Sequence, residues 1–479
     1  MGISSTSTVS PLSQRLWRWH FFAGLIVCPF AILLSITGAI YLFKPQIDNT
    51  IENRINLSAP AIQQSQQTLD ASVIFDTLIA QHTGAILKSY QLAKVNDRTV
   101  EIELLHEDGQ KRIYWVDIYS AQVLHSAVSD QQFLSLVKKI HSELLLGNKG
   151  SYFVELMASW LIILIITGVY LWLAKAFKQP KKIHILQRML TPRLKGQENR
   201  KKGRNLHGVI GLWFTVPILV ILLSGLPWTQ LWGSGFKKVQ AILQLNDIGQ
   251  EWFVTLKSTS PKPKPHKNAD NLWEINSPSK TRYRTDRAQT EHGSVSAHHS
   301  SATPLAYASS TDGITLSEIE QRVSSISLTP PIRIQPPISK LGVWTVRSMP
   351  QNRSQRTTLH YDRFSGDEIM RIDFSDHNAL KRFTAHGVSL HEGALFGWLN
   401  QLLGLLTAIA IIVISIMGFI IWWLRKPENS LGAPEKVQQP LSKALLALII
   451  ILGILLPAAG ISILIIAFFE YIALKLFNR

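Results

Sequence analysis

The sequence contains one cysteine, Cys28, in 479 residues. That excludes an intramolecular disulfide, a CxxCH haem-attachment site, a thiolate zinc site and any iron–sulfur cluster held by four cysteines. Charge is scarce too. Charged residues make up 17% of the chain against 46% hydrophobic, and mean hydropathy is +0.12. Such a balance excludes a disordered chain and a coiled coil. No GxGxxG lies on a βαβ pattern, so the chain shows no site of its own for NAD(P)H or FAD.

What is there is hydrophobicity in long blocks. Apolar runs occupy 17–43, 151–174, 207–228 and 397–424. Each is long enough to cross roughly 30 Å of hydrocarbon. The first runs into Tyr41, Phe43 and Lys44 without a small-residue cleavage site, so it reads as a span and not as a cleaved signal. A last block, 441–476, is too long for one straight span. Pro457, Ala458, Ala459 and Gly460 interrupt it, and it is expected to form either a hairpin or one long kinked helix.

Orientation follows from the basic residues. Between 174 and 206 there are eleven Lys and Arg against Glu198 alone, and Arg15, Arg18, Arg425 and Lys426 flank the first and fourth runs. These ends should be cytoplasmic. Much of the formal charge of +17 is therefore a topology signal. Membrane lipid is an expected partner and nucleic acid is not. The expected order is a cytoplasmic N-terminus and first span (1–43), an outer domain (44–150), a second span (151–174), a basic cytoplasmic loop (175–206) and a third span (207–228). A second outer domain (229–396), a fourth span (397–424), a cytoplasmic loop (425–440) and a C-terminal hydrophobic segment (441–479) follow.

The first outer segment reads as α+β. Residues 70–82 have helical character, and 86–92, 100–104 and 112–117 alternate like strands. In 114–124 a strand ends in Asp117, turns and returns, and 358–369 repeats that pattern around Asp362. Residues 313–350 regain strand-like order around Trp344. Residues 256–312, rich in Ser, Thr, Lys, Pro and His, read as a mobile insertion. Its His292, His298 and His299 are more simply solvated histidines than metal ligands.

Four histidines flank the four spans. His20 and His207 open the first and third, and each has glycines 4 and 18 residues later (Gly24 and Gly38, Gly211 and Gly225). His141 and His391 precede the second and fourth, with glycines 6 and 27 residues later (Gly147 and Gly168, Gly397 and Gly418). Two matched spacings in each pair define a tandem repeat of span, outer domain and span. Each repeat thus sends one histidine to each membrane face. Imidazoles from different helices are how a bundle holds b-type haem without cysteine. The expected ligands are His20 with His207 on the cytoplasmic side and His141 with His391 on the outer side, for two haem b groups. His386, Met157 and Met417 are substitutes for the outer pair, and His391 keeps the repeat register. Gly147 to Gly150 break the chain between His141 and its span, so His141 reads as part of a short amphipathic helix. Tryptophans at the span ends read as an interfacial belt. Glu155 lies inside the second span and should face a partner. A structural hydrogen bond is the simpler reading, and a role near the outer haem is the alternative. Glu470 has a similar structural explanation.

These residues resemble the PepSY-associated transmembrane family, which includes iron-regulated inner-membrane proteins and ferric-siderophore reductases of the ferrioxamine-reductase type. The likeness lies in Arg18-Trp19-His20 with Gly24, the His141…Gly147 and His391…Gly397 segments, Leu206-His207-Gly208, and the Thr/Ser-Gly pairs that end spans. It covers roughly 15–430. The acidic strand–turn–strand pattern is that of a PepSY module. The fold expected is an α-helical polytopic membrane protein with two α+β PepSY-like outer domains. The resemblance implies bound haem b and electron delivery, as an oxidoreductase of the bacterial inner membrane, to a periplasmic acceptor such as a ferric siderophore. The electron donor would be a quinol or a cytoplasmic reductase. The alternative is a regulatory or binding membrane protein without redox activity, and a transporter ranks third.

Overall fold

A computed structural model describes residues 10–60, 67–94, 97–177, 189–192, 194–243, 245, 256–259 and 313–477. The first apolar run is helix α1 (Pro11–Leu42). Ser10 caps it, accepting from Ser13 N, and Pro11 sits in the first turn, where its missing N–H costs nothing. Helix α2 (Lys44–Leu57) follows after Phe43 alone. The second run is α5 (Asn148–Phe177) and the fourth is α11 (Trp398–Trp423).

The third run departs from the expected straight span over 207–228. It begins earlier, as α6 (Asn199–Trp213), then bends by 59° into α7 (Thr215–Gly225) and a short 3-10 turn. Pro217 has no N–H to give the preceding turn, and Phe214 at the break has φ −94° and ψ 5°. Helix α8 (Gln230–Ile242) comes next.

Of the two forms expected for the C-terminal block, the hairpin is found. Helices α12 (Lys443–Leu455) and α13 (Pro457–Phe477) are separated by Leu456, which is not helical. They approach at Gly453 and Gly460, where a Cβ on Gly453 would stand 3.3 Å from the other glycine's Cα. Lys436, ahead of α12, pairs with Glu470 late in α13. Trp232 Nε1 on α8 donates to the Leu455 carbonyl at 3.1 Å. The hairpin tip thus meets α8, and both its ends lie together. The linker before it is held by Arg15 and Arg18, which donate to the Gln439 and Pro434 carbonyls.

The outer segments repeat one unit. In the first, α3 (Ala71–Gln81) precedes β1 (Ile86–Gln91), β2 (Thr99–Leu105), β3 (Lys111–Asp117) and β4 (Val123–Val128). In the second, α9 (Leu316–Ser324) precedes β5 (Ile332–Gln335), β6 (Trp344–Ser348), β7 (Thr357–Tyr361) and β8 (Glu368–Asp373). Asp117 ends β3 and Asp362 directly follows β7, its equivalent, and each caps the turn after it. Asp362 accepts from Phe364 N at 2.7 Å and Ser365 N at 3.1 Å, and Asp117 accepts from Ser120 Oγ at 2.8 Å. Helix 316–324 stands where only strand-like order was read.

The expectation of two outer domains is corrected. The units form one eight-stranded antiparallel sheet, in the order β4-β3-β2-β1-β5-β6-β7-β8. At the seam Tyr90 faces Ile334 and Gln91 faces Arg333. Arg333 bridges it, donating to Gln91 Oε1 at 3.0 Å and Glu101 at 3.3 Å. One core runs beneath α3 and α9, joining Ile74, Leu78 and Ile102 to Ile319, Trp344 and Leu359. Ser72 N donates to Ser317 Oγ at 2.9 Å, and Ser317 N donates to Ser72 Oγ at 3.1 Å. That reciprocal exchange is what a local twofold requires. Pairing β1 with β5 also removes the open edge each four-stranded unit would present. Of the segment expected to be mobile, 256–259 is described and is anchored. Thr259 N donates to Asp362 at 2.7 Å and Ser258 N to the Leu341 carbonyl at 2.8 Å. The rest of 256–312 lies outside the described residues.

Candidate functional site

Two helices position the histidines nearest the sheet. α4 (Phe133–Glu143) is amphipathic, buries Leu134 and Val137, and carries His141 in its last turn. It ends at Leu144 and Leu145, both with positive φ, so the break falls at 144–147, three residues before the expected 147–150, and Asn148 already begins α5. α10 (Ala379–His391) is its counterpart, capped by Asn378 and ending in His391. The other two histidines sit in α1 and α6.

The structure brings the four together in two pairs. The rings of His20 and His207 have centroids 6.4 Å apart, and those of His141 and His391 6.3 Å apart. Each pair takes one histidine from each repeat. His386 does not join them, because its ring lies 5.0 Å from Phe374. Met157 is buried among Val27, Ala31, Leu164, Ile218 and Ile411, in the apolar interior of the bundle.

Each imidazole rests on a glycine of the other span in its own repeat. An added Cβ would stand 3.0 Å from His20 Cε1 at Gly168, 3.1 Å from His141 at Gly38, 3.2 Å from His391 at Gly225 and 3.5 Å from His207 at Gly418. At the first three, a Cβ would press the ring back by a few tenths of an ångström. The glycines 18 and 27 residues after each histidine are therefore reciprocal seats.

The same helices fix the ring tautomers. Nδ1 of His141 lies 3.0 Å from the Leu34 carbonyl, that of His391 2.9 Å from Ile221 O, and that of His207 3.0 Å from Ile414 O. A carbonyl only accepts, so each Nδ1 carries the proton and Nε2 keeps its lone pair. His20 Nδ1 lies 3.0 Å from Thr167 Oγ1, whose own proton goes to the Ile163 carbonyl at 2.8 Å. Thr37 and Ser224 lie within 3.1 and 3.3 Å of His141 and His391 in the same way. Met417 replaces the hydroxyl beside His207. The Thr/Ser-Gly pairs stand out in the sequence, but the hydroxyl's contact with the ring does not. Its signal was the hydroxyl residue directly before three of the four seating glycines.

The residues fit a haem with two imidazole ligands. A metal–imidazole bond is about 2.0 Å and the ring centroid lies about 1.2 Å behind the nitrogen, so two coaxial imidazoles stand about 6.4 Å apart. All four histidines are half-buried. Held Nδ1–H groups are the outer-shell contact that orients a histidine ligand.

Glu155 has the structural role. It is fully buried, and its carboxylate accepts from Leu231 N at 2.8 Å and Trp232 N at 3.0 Å, capping the start of α8. A carboxylate there satisfies two orphan donors and meets the positive end of the helix dipole. Among the described residues no three His, Cys, Asp or Glu side chains cluster as metal ligands. His292, His298 and His299 lie outside the described residues.

A family model for the PepSY-associated TM region matches residues 17–425. The match takes in both histidine pairs and the whole sheet, and stops before the α12–α13 hairpin. No curated protein matches the chain.

Proposed function

Because this chain belongs to the PepSY-associated TM region family, we propose that it is a haem-containing membrane oxidoreductase. It would pass electrons across the bilayer to a ferric chelate, such as a ferric siderophore, on the sheet side. The observation that carries this reading is the pair of matched imidazole couples, each with Nδ1 committed and Nε2 free. His20 with His207 and His141 with His391 would each hold one haem b. When bound, haem b supplies reversible one-electron exchange.

The chain's own residues do the rest. The carbonyls of Leu34, Ile221 and Ile414 and the hydroxyl of Thr167 hold the rings in one tautomer. Gly38, Gly168, Gly225 and Gly418 let the rings lie flush with a helix. The buried cluster of Val27, Ala31, Met157, Leu164, Ile218 and Ile411 excludes water from the bundle interior. The acceptor takes one electron per Fe(III) and becomes Fe(II), which hydroxamates and catecholates hold far less tightly. The donor, a quinol or a cytoplasmic reductase, would act at the face that carries the basic loop.

The test is a dithionite-reduced minus oxidised spectrum of detergent-purified protein, with haem quantified per chain. A six-coordinate b-type signal and about two haems per chain are expected. Gly168→Leu should remove about one of them while the protein still folds, because it fills a ring seat and takes no ligand. Protein from haem-replete cells that carries no haem would sink the proposal and leave a regulatory membrane protein as the better reading.

A further inference from the structure

A group of side chains of types that ligate metals lies outside the spans, in the first half of the sheet. His82 is the C-cap of α3, His106 follows β2, and Tyr114 lies in β3. Their rings form a three-membered cluster. The centroids of His82 and His106 are 5.5 Å apart, those of His82 and Tyr114 4.7 Å, and those of His106 and Tyr114 6.0 Å. Tyr114 Oη lies 2.8 Å from His106 Nε2. Both histidines are half-buried, so the cluster opens to solvent at one side. Glu107 packs against the turn at Gly84, whose φ of +82° and missing Cβ leave room for its side chain. Arg112, the nearby cation, is paired with Asp108 at 3.4 Å.

The fold does not need this cluster. The second half of the sheet builds the same helix and meander without it. Its helix α9 has Ser325 at the C-cap where α3 has His82. Both third strands carry a register shift, at Trp115/Val116 and at His360/Tyr361, which aligns Tyr114 with Leu359. The connection from β6 to β7 contains no histidine. Serine and leucine therefore satisfy these positions structurally, and the first half has two imidazoles and a phenol there instead.

The distances suit a shared ion. Two imidazoles on one ion at a tetrahedral angle have centroids about 5.2 Å apart, with bonds of about 2.0 Å. An oxygen and a nitrogen 2.8 Å apart subtend about 90° at an ion with bonds of about 2.0 Å, which is an edge of a five-coordinate shell and not of a tetrahedral one. Two imidazoles with a phenolate oxygen suit divalent first-row transition metals better than magnesium or calcium. We propose that His82, His106 and Tyr114 form a binding site for a divalent first-row transition-metal ion on the first half of the sheet, with solvent completing the coordination shell. The site does not depend on the haem reading.

The test uses the full chain in detergent, with His292→Ala, His298→Ala and His299→Ala in the background to silence the insertion. It is titrated with Co(II) alone while visible d–d absorption is followed, and Zn(II) is then added as competitor. One Co(II) per chain, displaced by Zn(II), is expected. His82→Ser and Tyr114→Leu install the residue types of the second half, so the fold should hold, which the near-UV circular dichroism checks. Each should weaken Co(II) binding about tenfold or more, and His82→Ser with His106→Ala should abolish the bands. A parent that takes up no Co(II), or a double variant that binds as the parent does, overturns the proposal.

Discussion

Small residues and main-chain carbonyls, not charged partners, place the four imidazoles. That is why the pairs could be read from glycine spacing together with the order and orientation of the spans. A glycine that seats a ring must recur at a fixed offset from its histidine, and it does so in both repeats. Glu155 was not legible in the same way. Its partners are backbone donors on α8, 76 residues away, and a main-chain N–H leaves no mark in a sequence. His360 also lay outside any motif. It is fully buried, its Nδ1 lies 3.1 Å from Thr345 Oγ1, and its Nε2 has no partner. Burial, with Arg347 beside it, holds its pKa down to about 4. An unfolded histidine titrates near 6.5, so between the two values only the unfolded chain takes up the proton. Stability is then intact above about pH 6.5 and falls as the pH drops toward 4, by about 3 kcal/mol for this group. His360→Gln should flatten the fall in melting temperature between pH 7 and 4.5. An unchanged slope would show that other groups carry the acid sensitivity.

At the scale of elements, local patterns found every strand of the first unit but not where the units join. Alternation in 86–92 says that a strand has two faces. It does not say which strand lies along its edge. β1 finds that neighbour in β5, some 240 residues on, and the seam residues Gln91, Glu101 and Arg333 look like ordinary surface positions in sequence. The bend at Phe214 was likewise hidden, because Pro217 is compatible with a membrane helix that is kinked or straight-sided by its neighbours. Fusion of the sheet has a consequence for folding. Each unit alone would expose the β1 or β5 edge and the core side chains that face the other unit, such as Ile334 and Trp344 against Tyr90. Residues 67–128 expressed alone should therefore lack a fixed core, with strand signal in the far-UV but little near-UV circular dichroism. A sharp, cooperative melt of that fragment would mean that the two units are separate domains after all.

Across the whole molecule, the local twofold that joins the units also pairs the histidines. Each pair needs both repeats, so neither repeat can hold a site by itself. The two pairs lie at opposite ends of the bundle, since His20 and Gly38 are 18 residues apart on α1, about 27 Å at 1.5 Å per residue. The apolar cluster around Met157 occupies the interval. Under the proposed function, an electron entering at the basic-loop face would have to use the pair of His20 and His207 to reach the pair of His141 and His391. Removing one pair should therefore cut the route without emptying the other. His20→Ala is expected to leave about one haem per chain. In vesicles of known orientation that haem should still be reduced by an impermeant reductant added on the sheet side. It should no longer be reduced from the basic-loop side, where the parent protein responds. If His20→Ala emptied both pairs, the sites would be coupled through the fold rather than arranged in series. If reduction from the basic-loop side survived, electrons would be entering by a path that bypasses His20 and His207.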